Sequence, residues 1–315
     1  MKRFLPRVAL FVALQLAVAA VFAAAWRPNP QHFLAGTIDK HRLLAETPSP
    51  RLLLVGGSNV PFSINCDSLA ARLEQHPVDM GLHAGLGAGF VLGEVRGELR
   101  PGDVVVLSIE YEQFGIIGQP EIVLRLLNAR PRSVEFLPLD YWPGILDYGL
   151  SYAGIVVRGG VERMRGRVEP LQAPYVRTGF NAFGDDTLRP PTTKLPPVEL
   201  PLFGDGRLPR RFDATLAKIN RFRDECDRRG VKVFFTHAVV PETRWRLHGA
   251  TFRKVEARLG RDMRVPFLEA PEEVVYADSL FYDTEYHLKT EGVAQRSQKL
   301  ARALERALTS TSTPR

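Results

Sequence analysis

A serine and a histidine that could form a nucleophile and base stand near opposite ends of this 315-residue chain. Ser58 follows Gly56-Gly57 directly after the apolar run 52–55, and His287 ends the segment Asp283-Thr284-Glu285-Tyr286-His287. A serine on the turn that closes a buried strand projects its hydroxyl into the crevice at the sheet edge, where a histidine from a later loop can take its proton. Together the two segments suggest a serine hydrolase.

The hydrophobic pattern predicts the elements that must position these residues. Continuous apolar runs at 52–55, 104–109 and 231–236 are typical of strands buried on both faces, and a further short strand is expected at 78–80. Helical periodicity covers 68–74, 89–99, 212–229 and 289–308. Strands that alternate with helices predict an α/β fold with a parallel sheet.

Five segments are expected at the carboxyl ends of these strands, where ligands gather in an open parallel sheet. They are 57–59, 81–89, Glu110-Tyr111-Glu112, His237, and the loop that carries Asp283 and His287. The functional residues should therefore lie within these segments.

Three of these segments resemble the motif blocks of the SGNH/GDSL hydrolase superfamily. Gly56-Gly57-Ser58-Asn59 is similar to the nucleophile block, 79–85 to the glycine block, and 282–288 to the Asp-His block. The resemblance covers most of the chain after the first thirty residues. The chain is particularly similar to the membrane-anchored branch associated with envelope-polymer acylation, including proteins of D-alanyl-lipoteichoic acid synthesis and alginate acetylation. It implies a three-layer sandwich with a parallel sheet, SGNH or flavodoxin-like.

The resemblance also implies roles for individual residues. Ser58 would attack an acyl carbonyl, His287 would act as general base, and Asp283 would orient the imidazole. The backbone N–H groups of Ser58 and Gly85 would hold the oxyanion.

Three departures from the family pattern leave alternatives open. The usual Asp-x-x-His is a longer Asp283-x-x-x-His287, so Glu285 is a second candidate to orient the base. Gly81 is an alternative to Gly85 as oxyanion donor. The usual asparagine after the third-block strand is replaced by Glu110-Tyr111-Glu112, where the Tyr111 hydroxyl is a substitute donor. We expect His83 and His237 to be structural.

The first thirty residues form a separate segment. Lys2, Arg3 and Arg7 precede the apolar run 8–26, which as a helix would be roughly 28 Å long. We expect an uncleaved N-terminal anchor rather than a cleaved signal peptide, with its basic end in the cytoplasm. In a Gram-negative bacterium this predicts an inner-membrane protein whose residues 31–315 form one periplasmic SGNH-like domain.

An insertion is expected at about 120–210, over the active edge of the sheet. Residues 120–166 have a helical pattern and carry Tyr141, Trp142, Tyr148 and Tyr152, whereas 188–209 is rich in proline and glycine and predicts an extended loop. The insertion is interpreted as a lid over an acyl or glycan pocket, or simply as a packed layer.

Charge and motif content argue against several functional classes. The formal charge of +7 comes from dispersed basic residues without a nucleic-acid-binding motif, so no nucleic acid is expected. A denser basic cluster consists of Arg158, Arg163, Arg165 and Arg167. It could contact anionic headgroups or an acidic glycan, and the alternative is a solvated basic face.

Metal and cofactor motifs are equally weak. The sequence contains no metal-ligand spacing, so no metal is expected. Gly85-x-Gly87-x-Gly89 resembles a dinucleotide-binding fingerprint, but Phe90 stands in the place of its last glycine, so no cofactor is expected. Cys66 and Cys226 form no disulfide framework, although pairing between them stays open.

Two functional hypotheses follow from the sequence. The first is an SGNH-type serine esterase or O-acyltransferase that acts on an acylated cell-envelope glycan or lipid. The second is a non-catalytic envelope accessory protein with the same fold, which binds a polysaccharide or a multi-spanning membrane acyltransferase.

Overall fold

A parallel sheet lies at the centre of the computed structural model, which describes residues 4–26, 28–189, 195–196, 202–203 and 205–310. Within these ranges it has four strands, β1 (Arg51–Gly56), β2 (His76–Asp79), β3 (Val104–Ser108) and β4 (Lys232–Phe235), in the order β2-β1-β3-β4. A short parallel pair, β5 (Val240–Pro241) and β6 (Val275–Tyr276), lies outside this sheet. The predicted α/β fold with a parallel sheet is confirmed.

Helices precede, connect and follow the strands. They are α1 (Phe4–Ala25), α2 (Gly36–Glu46), α3 (Cys66–Ala70), α4 (Gly87–Arg96), α5 (Pro120–Ala129), α6 (Trp142–Met164), α7 (Phe212–Arg228), α8 (Glu242–Asp262) and α9 (Thr290–Ser310). The predicted helix at 68–74 is shorter and begins earlier, because the Asn65 side chain caps it by accepting from the Ser68 N–H.

Apolar clusters cover both faces of the sheet, which explains the continuous apolar runs of its strands. Leu53 and Val105 pack into one cluster with residues of α4, α7 and α8. Leu52 and Val106 face the other cluster, which contains residues of α3 and α9.

The strand order places a topological switch point between β1 and β3. The chain passes from β1 outward to β2 and then crosses back to β3 on the other side of β1. Gly56 at the end of β1 is in register with Ser108 at the end of β3. Ligands bind at the carboxyl ends of strands at such a point, because the connecting loops diverge and leave a crevice.

Between residues 6 and 25, helix α1 contributes no buried residue to the core. Its segment Pro6–Ala25 is long and apolar enough to cross a membrane. The predicted flanking residues Lys2 and Arg3 lie outside the described part of the chain.

The region predicted to be an insertion contains α5, α6 and the segment that follows α6. Helix α6 packs against the C-terminal end of α1, where a Cβ on Gly160 would overlap the Phe22 carbonyl oxygen. Much of the loop predicted at 188–209 lies outside the described residues.

The two cysteines are buried and unpaired. Burial raises the pKa of the Cys66 thiol well above its usual value and that of Cys226 to about 12. The pairing left open by the sequence is not formed.

Candidate active site

Ser58 lies on the turn after β1, directly above the side chain of Glu110. Its Oγ donates to Glu110 Oε1 at 3.2 Å, and the Asn59 backbone N–H donates to the same oxygen at 2.8 Å. A Cβ on Gly57 would overlap Glu110 Oε1, so only glycine allows this approach. Gly57 therefore allows the carboxyl of Glu110, in the loop after β3, to lie under the serine turn.

Glu110 is buried, with 3% of its surface exposed. Burial raises the pKa of this carboxyl to about 8, and the nearby Glu112 charge acts in the same direction. Glu110 is thus predominantly protonated at neutral pH.

His287 and Asp283 form a hydrogen-bonded pair. His287 Nδ1 lies 2.9 Å from Asp283 Oδ1, and the Tyr175 hydroxyl donates to Asp283 Oδ2. Burial raises the pKa of Asp283, but the hydrogen bond and charge of His287 outweigh it and hold that pKa below its usual value. An ionised Asp283 fixes the proton on Nδ1 and leaves Nε2 as a base.

The other nitrogen of His287 is unpartnered. Its Nε2 is buried without a hydrogen-bond partner among the described residues, while the ring packs on Phe62 with centroids 4.3 Å apart. The competing carboxylate, Glu285, accepts instead from Arg244 at 2.7 Å. Of the two carboxylates that the sequence offered, Asp283 contacts the imidazole.

Ser58 and His287 line one cavity of about 800 Å³. Within the described ranges they do not hydrogen-bond to each other, because the serine hydroxyl is directed to Glu110. The loops after β2 and β3 and the loop before His287 also line the cavity. Three further regions contribute, namely the segment after α1, helix α5 and the segment after α6, with His32, Phe33, Leu34, Ile122, Arg125, Glu169, Pro170, Leu171, Gln172 and Tyr175.

The sequence-predicted oxyanion donors are mostly engaged elsewhere. The Gly85 N–H donates to His83 Nδ1 at 2.9 Å, and the Gly81 N–H donates to Asp79 Oδ1 at 2.7 Å. The Tyr111 hydroxyl donates to Glu256 at 2.8 Å and Tyr111 does not line the cavity. The Ser58 backbone N–H has no acceptor in the described part of the chain.

His83, expected to be structural, lines the cavity. Its Nδ1 accepts from Gly85, and burial lowers the pKa of its imidazole to about 4. A neutral imidazole whose Nδ1 is an acceptor carries its proton on Nε2. The structure therefore supplies an N–H donor that the sequence interpretation missed, although His83 stood in one of the five predicted segments.

Arg244 joins two carboxylates on one side of the cavity. It is buried and donates to Glu285 Oε1 at 2.7 Å and to Glu112 Oε1 at 2.9 Å. The Tyr286 hydroxyl also donates to Glu112. This network fixes the loop that precedes His287 against the loop that follows β3.

His237 does not line this cavity. It stacks on Phe267 with ring centroids 5.2 Å apart, and burial lowers its pKa to about 4. Its carbonyl accepts from the buried Arg296, which also donates to Ser108 Oγ at 3.1 Å and to the Asn59 carbonyl at 3.4 Å. Arg296 thus connects the end of β3 with the loops after β1 and β4.

No group of three or more potential metal-ligating side chains occurs in the described ranges. The chemistry available at the site comes from a serine hydroxyl, a buried neutral carboxyl and two imidazoles. This set suits proton transfer and acyl chemistry.

Comparisons with known proteins give little further information. No protein-family model matches the chain. No curated protein matches it either. A solved structure from Streptococcus pneumonia, described provisionally as a platelet activating factor, has a TM-score of 0.43 and 12% identity, and the match covers 94% of this chain and 98% of the other. Similarity at this level shows neither a family nor an activity.

Proposed function

We propose that this chain is a serine esterase or O-acyltransferase of the SGNH type. The observation that carries the proposal is the state of His287, whose Nδ1 is held by Asp283 while its Nε2 is unpartnered. Ser58 lines the same cavity and stands at the switch point of the sheet. A nucleophile, a base and an orienting carboxylate are the parts that acyl transfer requires.

In the proposed reaction the Ser58 hydroxyl leaves Glu110 and its Oγ attacks the carbonyl carbon of an ester. His287 Nε2 takes the hydroxyl proton during attack and then gives it to the departing alcohol oxygen as the ester C–O bond breaks. The acyl group is then bound to Ser58. Water resolves this intermediate in hydrolysis, whereas a sugar or lipid hydroxyl resolves it in transfer.

Two donors are available for the developing oxyanion. The Ser58 backbone N–H is one, and the Nε2–H of His83 is the other, in place of the asparagine that the family pattern would supply. Because the pKa of His83 is about 4, its imidazole stays neutral and keeps this tautomer at neutral pH.

Glu110 acts here as a positioning residue. It holds the Ser58 turn through the Asn59 N–H and fixes the resting rotamer of the serine hydroxyl. As a neutral acid it does not compete with His287 for the serine proton, because a protonated carboxyl is a weak base.

The proposed substrate is an acylated glycan or lipid of the cell envelope. A cavity of about 800 Å³ lies within the range of small-molecule sites, and its lining combines apolar side chains with charged ones such as Arg125 and Glu169. Helix α1 would anchor the chain in the inner membrane with the domain in the periplasm, beside a multi-spanning membrane acyltransferase if transfer is the reaction.

A specific observation favours the second candidate, a non-catalytic accessory protein with this fold. The Ser58 hydroxyl is bonded to Glu110 rather than His287, and the N–H groups of Gly81 and Gly85 are both engaged. In that case the cavity would bind a polysaccharide or a protein partner without catalysing a reaction.

The test is cleavage of p-nitrophenyl acetate and butyrate by the full chain in detergent, followed for both a burst and steady turnover. Ser58→Ala should abolish both. His83→Ala should lower the rate by on the order of 10²- to 10³-fold, the usual effect of a missing oxyanion donor. His237→Ala, which removes a buried histidine outside the cavity, is the matched control and should retain activity if circular dichroism shows that it folds. No release by folded wild type would favour the binding role.

A further inference from the structure

Helix α6 leaves the domain beside the anchor helix. Near its start, Ile145 and Tyr152 are buried, and Tyr148 donates to Glu121 of α5. Beyond this part, Gly160 contacts the Phe22 carbonyl of α1 so closely that no side chain fits between the helices. Trp26, just after α1, packs on Gly159 and edge-on to Tyr152. The two helices are therefore antiparallel.

This packing sets the level of the α6 end relative to a membrane. Helix α1 has 22 residues and is thus about 33 Å long, close to the ~30 Å thickness of a bilayer's hydrocarbon core. If α1 spans the membrane, Phe22 lies near the outer edge of that core. Gly160 lies at the same level. Because the helices are antiparallel, the last turn of α6 runs about 6 Å deeper, among the acyl chains of the outer leaflet, from where arginine side chains can extend back to the lipid phosphates.

The residues beyond Gly160 have the composition of a segment that enters a membrane from its surface. We call residues 163–168, which read Arg-Met-Arg-Gly-Arg-Val, the α6 tip. Met164 is 62% exposed and Val168 56%, although both are apolar. Arginines alternate with them, and Glu162 accepts from two of these, Arg165 and Arg167. Apolar side chains beside arginines match the boundary between acyl chains and lipid phosphates.

We propose that the α6 tip is a lipid-binding element that inserts Met164 and Val168 among the lipids and binds lipid phosphates through Arg163, Arg165 and Arg167. The proposal depends on the membrane span of α1 but not on catalysis. An acidic glycan would bind the arginines alone and would give the apolar side chains no partner, so lipid is the occupant that accounts for both.

The tip also connects to the catalytic cavity. The segment after the tip contributes Glu169, Pro170, Leu171 and Gln172 to the cavity wall and leads to Tyr175, which contacts Asp283. A tip bound to lipid phosphates would therefore hold the mouth of this cavity close to the membrane surface.

The experiment uses the full chain in nanodiscs, with one introduced cysteine carrying an NBD fluorophore and with doxyl-labelled lipids as quenchers. The native cysteines are both buried, so the introduced thiol is the accessible one. Val12→Cys in α1 reports the span itself, and Met164→Cys reports the tip. Leu247→Cys in α8, whose parent side chain is 62% exposed, is the solvent control.

We expect blue-shifted, doxyl-quenched emission at positions 12 and 164 but not at 247. At position 164, quenching should be stronger in anionic than in zwitterionic lipid, and replacing Arg163, Arg165 and Arg167 by Gln should remove that difference. Replacing Arg253, Arg302 and Arg306, exposed arginines on α8 and α9, is the charge-matched control and should leave it unchanged.

Three results would overturn the proposal. Quenching at position 12 without quenching at position 164 would leave the span standing and refute the tip. No quenching at either position would remove the span on which the tip depends. A soluble acidic polysaccharide that shifts the emission at position 164 in an arginine-dependent way, with no lipid quenching there, would assign the arginines to a glycan instead.

Discussion

The protonation of Glu110 can be tested by the substitution Glu110→Gln. Gln keeps an oxygen in the place of Oε1, which accepts from the Ser58 hydroxyl and the Asn59 N–H, but it cannot ionise. The pKa of Glu110 is raised by burial from 4.5 to about 8, so the folded state holds the proton more tightly than the unfolded state does. Stability from this group is complete below about pH 4.5 and is lost as the pH rises through about 8.

The size of this effect follows from the two pKa values. At about 1.4 kcal/mol per pH unit, a pKa raised from 4.5 to about 8 corresponds to roughly 5 kcal/mol of unfolding free energy lost by pH 9. Glu110→Gln should not suffer this loss. Relative to wild type, the variant should therefore gain stability by several kcal/mol between pH 5 and pH 9.

The assay is denaturant unfolding of the full chain in detergent, followed by circular dichroism at several pH values. Glu256→Gln serves as a comparison with a smaller expected effect. Burial raises the pKa of Glu256 only to about 7, so the stability that this variant gains over wild type should be smaller and should be complete at a lower pH. Parallel loss of stability in wild type and Glu110→Gln between pH 5 and pH 9 would refute a buried neutral Glu110.

Two further substitutions test the geometry of the site. Asp283→Asn should lower the rate of ester cleavage by up to about 10⁴-fold, because it favours the wrong tautomer of His287. Glu285→Gln should have a much smaller effect. Equal rates for the two variants would contradict the pairing of Asp283 with His287. Gly57→Ala places a Cβ against Glu110 Oε1 and should cost about 1 to 3 kcal/mol, measured by the same unfolding assay; an unchanged free energy would mean that the carboxyl does not lie under the turn.

The sheet was predictable because its strands are buried on both faces. The apolar runs at 52–55, 104–109 and 231–236 lack the alternation of a half-exposed strand and are too short for a long helix. They correspond to β1, β3 and β4. Helix α8 was not predicted from the sequence. Phe252, Val255 and Leu259 form an apolar stripe at helical spacing, but the many charged residues around this stripe obscured its periodicity.

The candidate site was predictable as individual residues in separate segments, without the contacts between them. Ser58, Glu110, His83 and His287 all lie in the predicted segments, but their contacts depend on the register of Gly56 with Ser108. Strands that are apolar on both faces carry no alternation from which register can be derived. The sequence could therefore not show that Glu110 reaches the serine turn.

Two other contacts had no sequence signal at all. The tautomer of His83 depends on the short 3-10 turn Ala84–Leu86, which directs the Gly85 N–H at its Nδ1. Tyr175 reaches Asp283 from the segment that follows α6, and nothing in its neighbourhood marks it as part of the site.

The measurement that tests the central claim most directly is labelling of the folded full chain by a fluorophosphonate probe. Such a probe reacts with a serine only when a base activates it and donors hold the developing oxyanion. We expect labelling of wild type that is absent in both Ser58→Ala and His287→Ala. A folded wild type that stays unlabelled, or a Ser58→Ala variant that labels equally well, would contradict the assignment of this cavity as an acyl-transfer site.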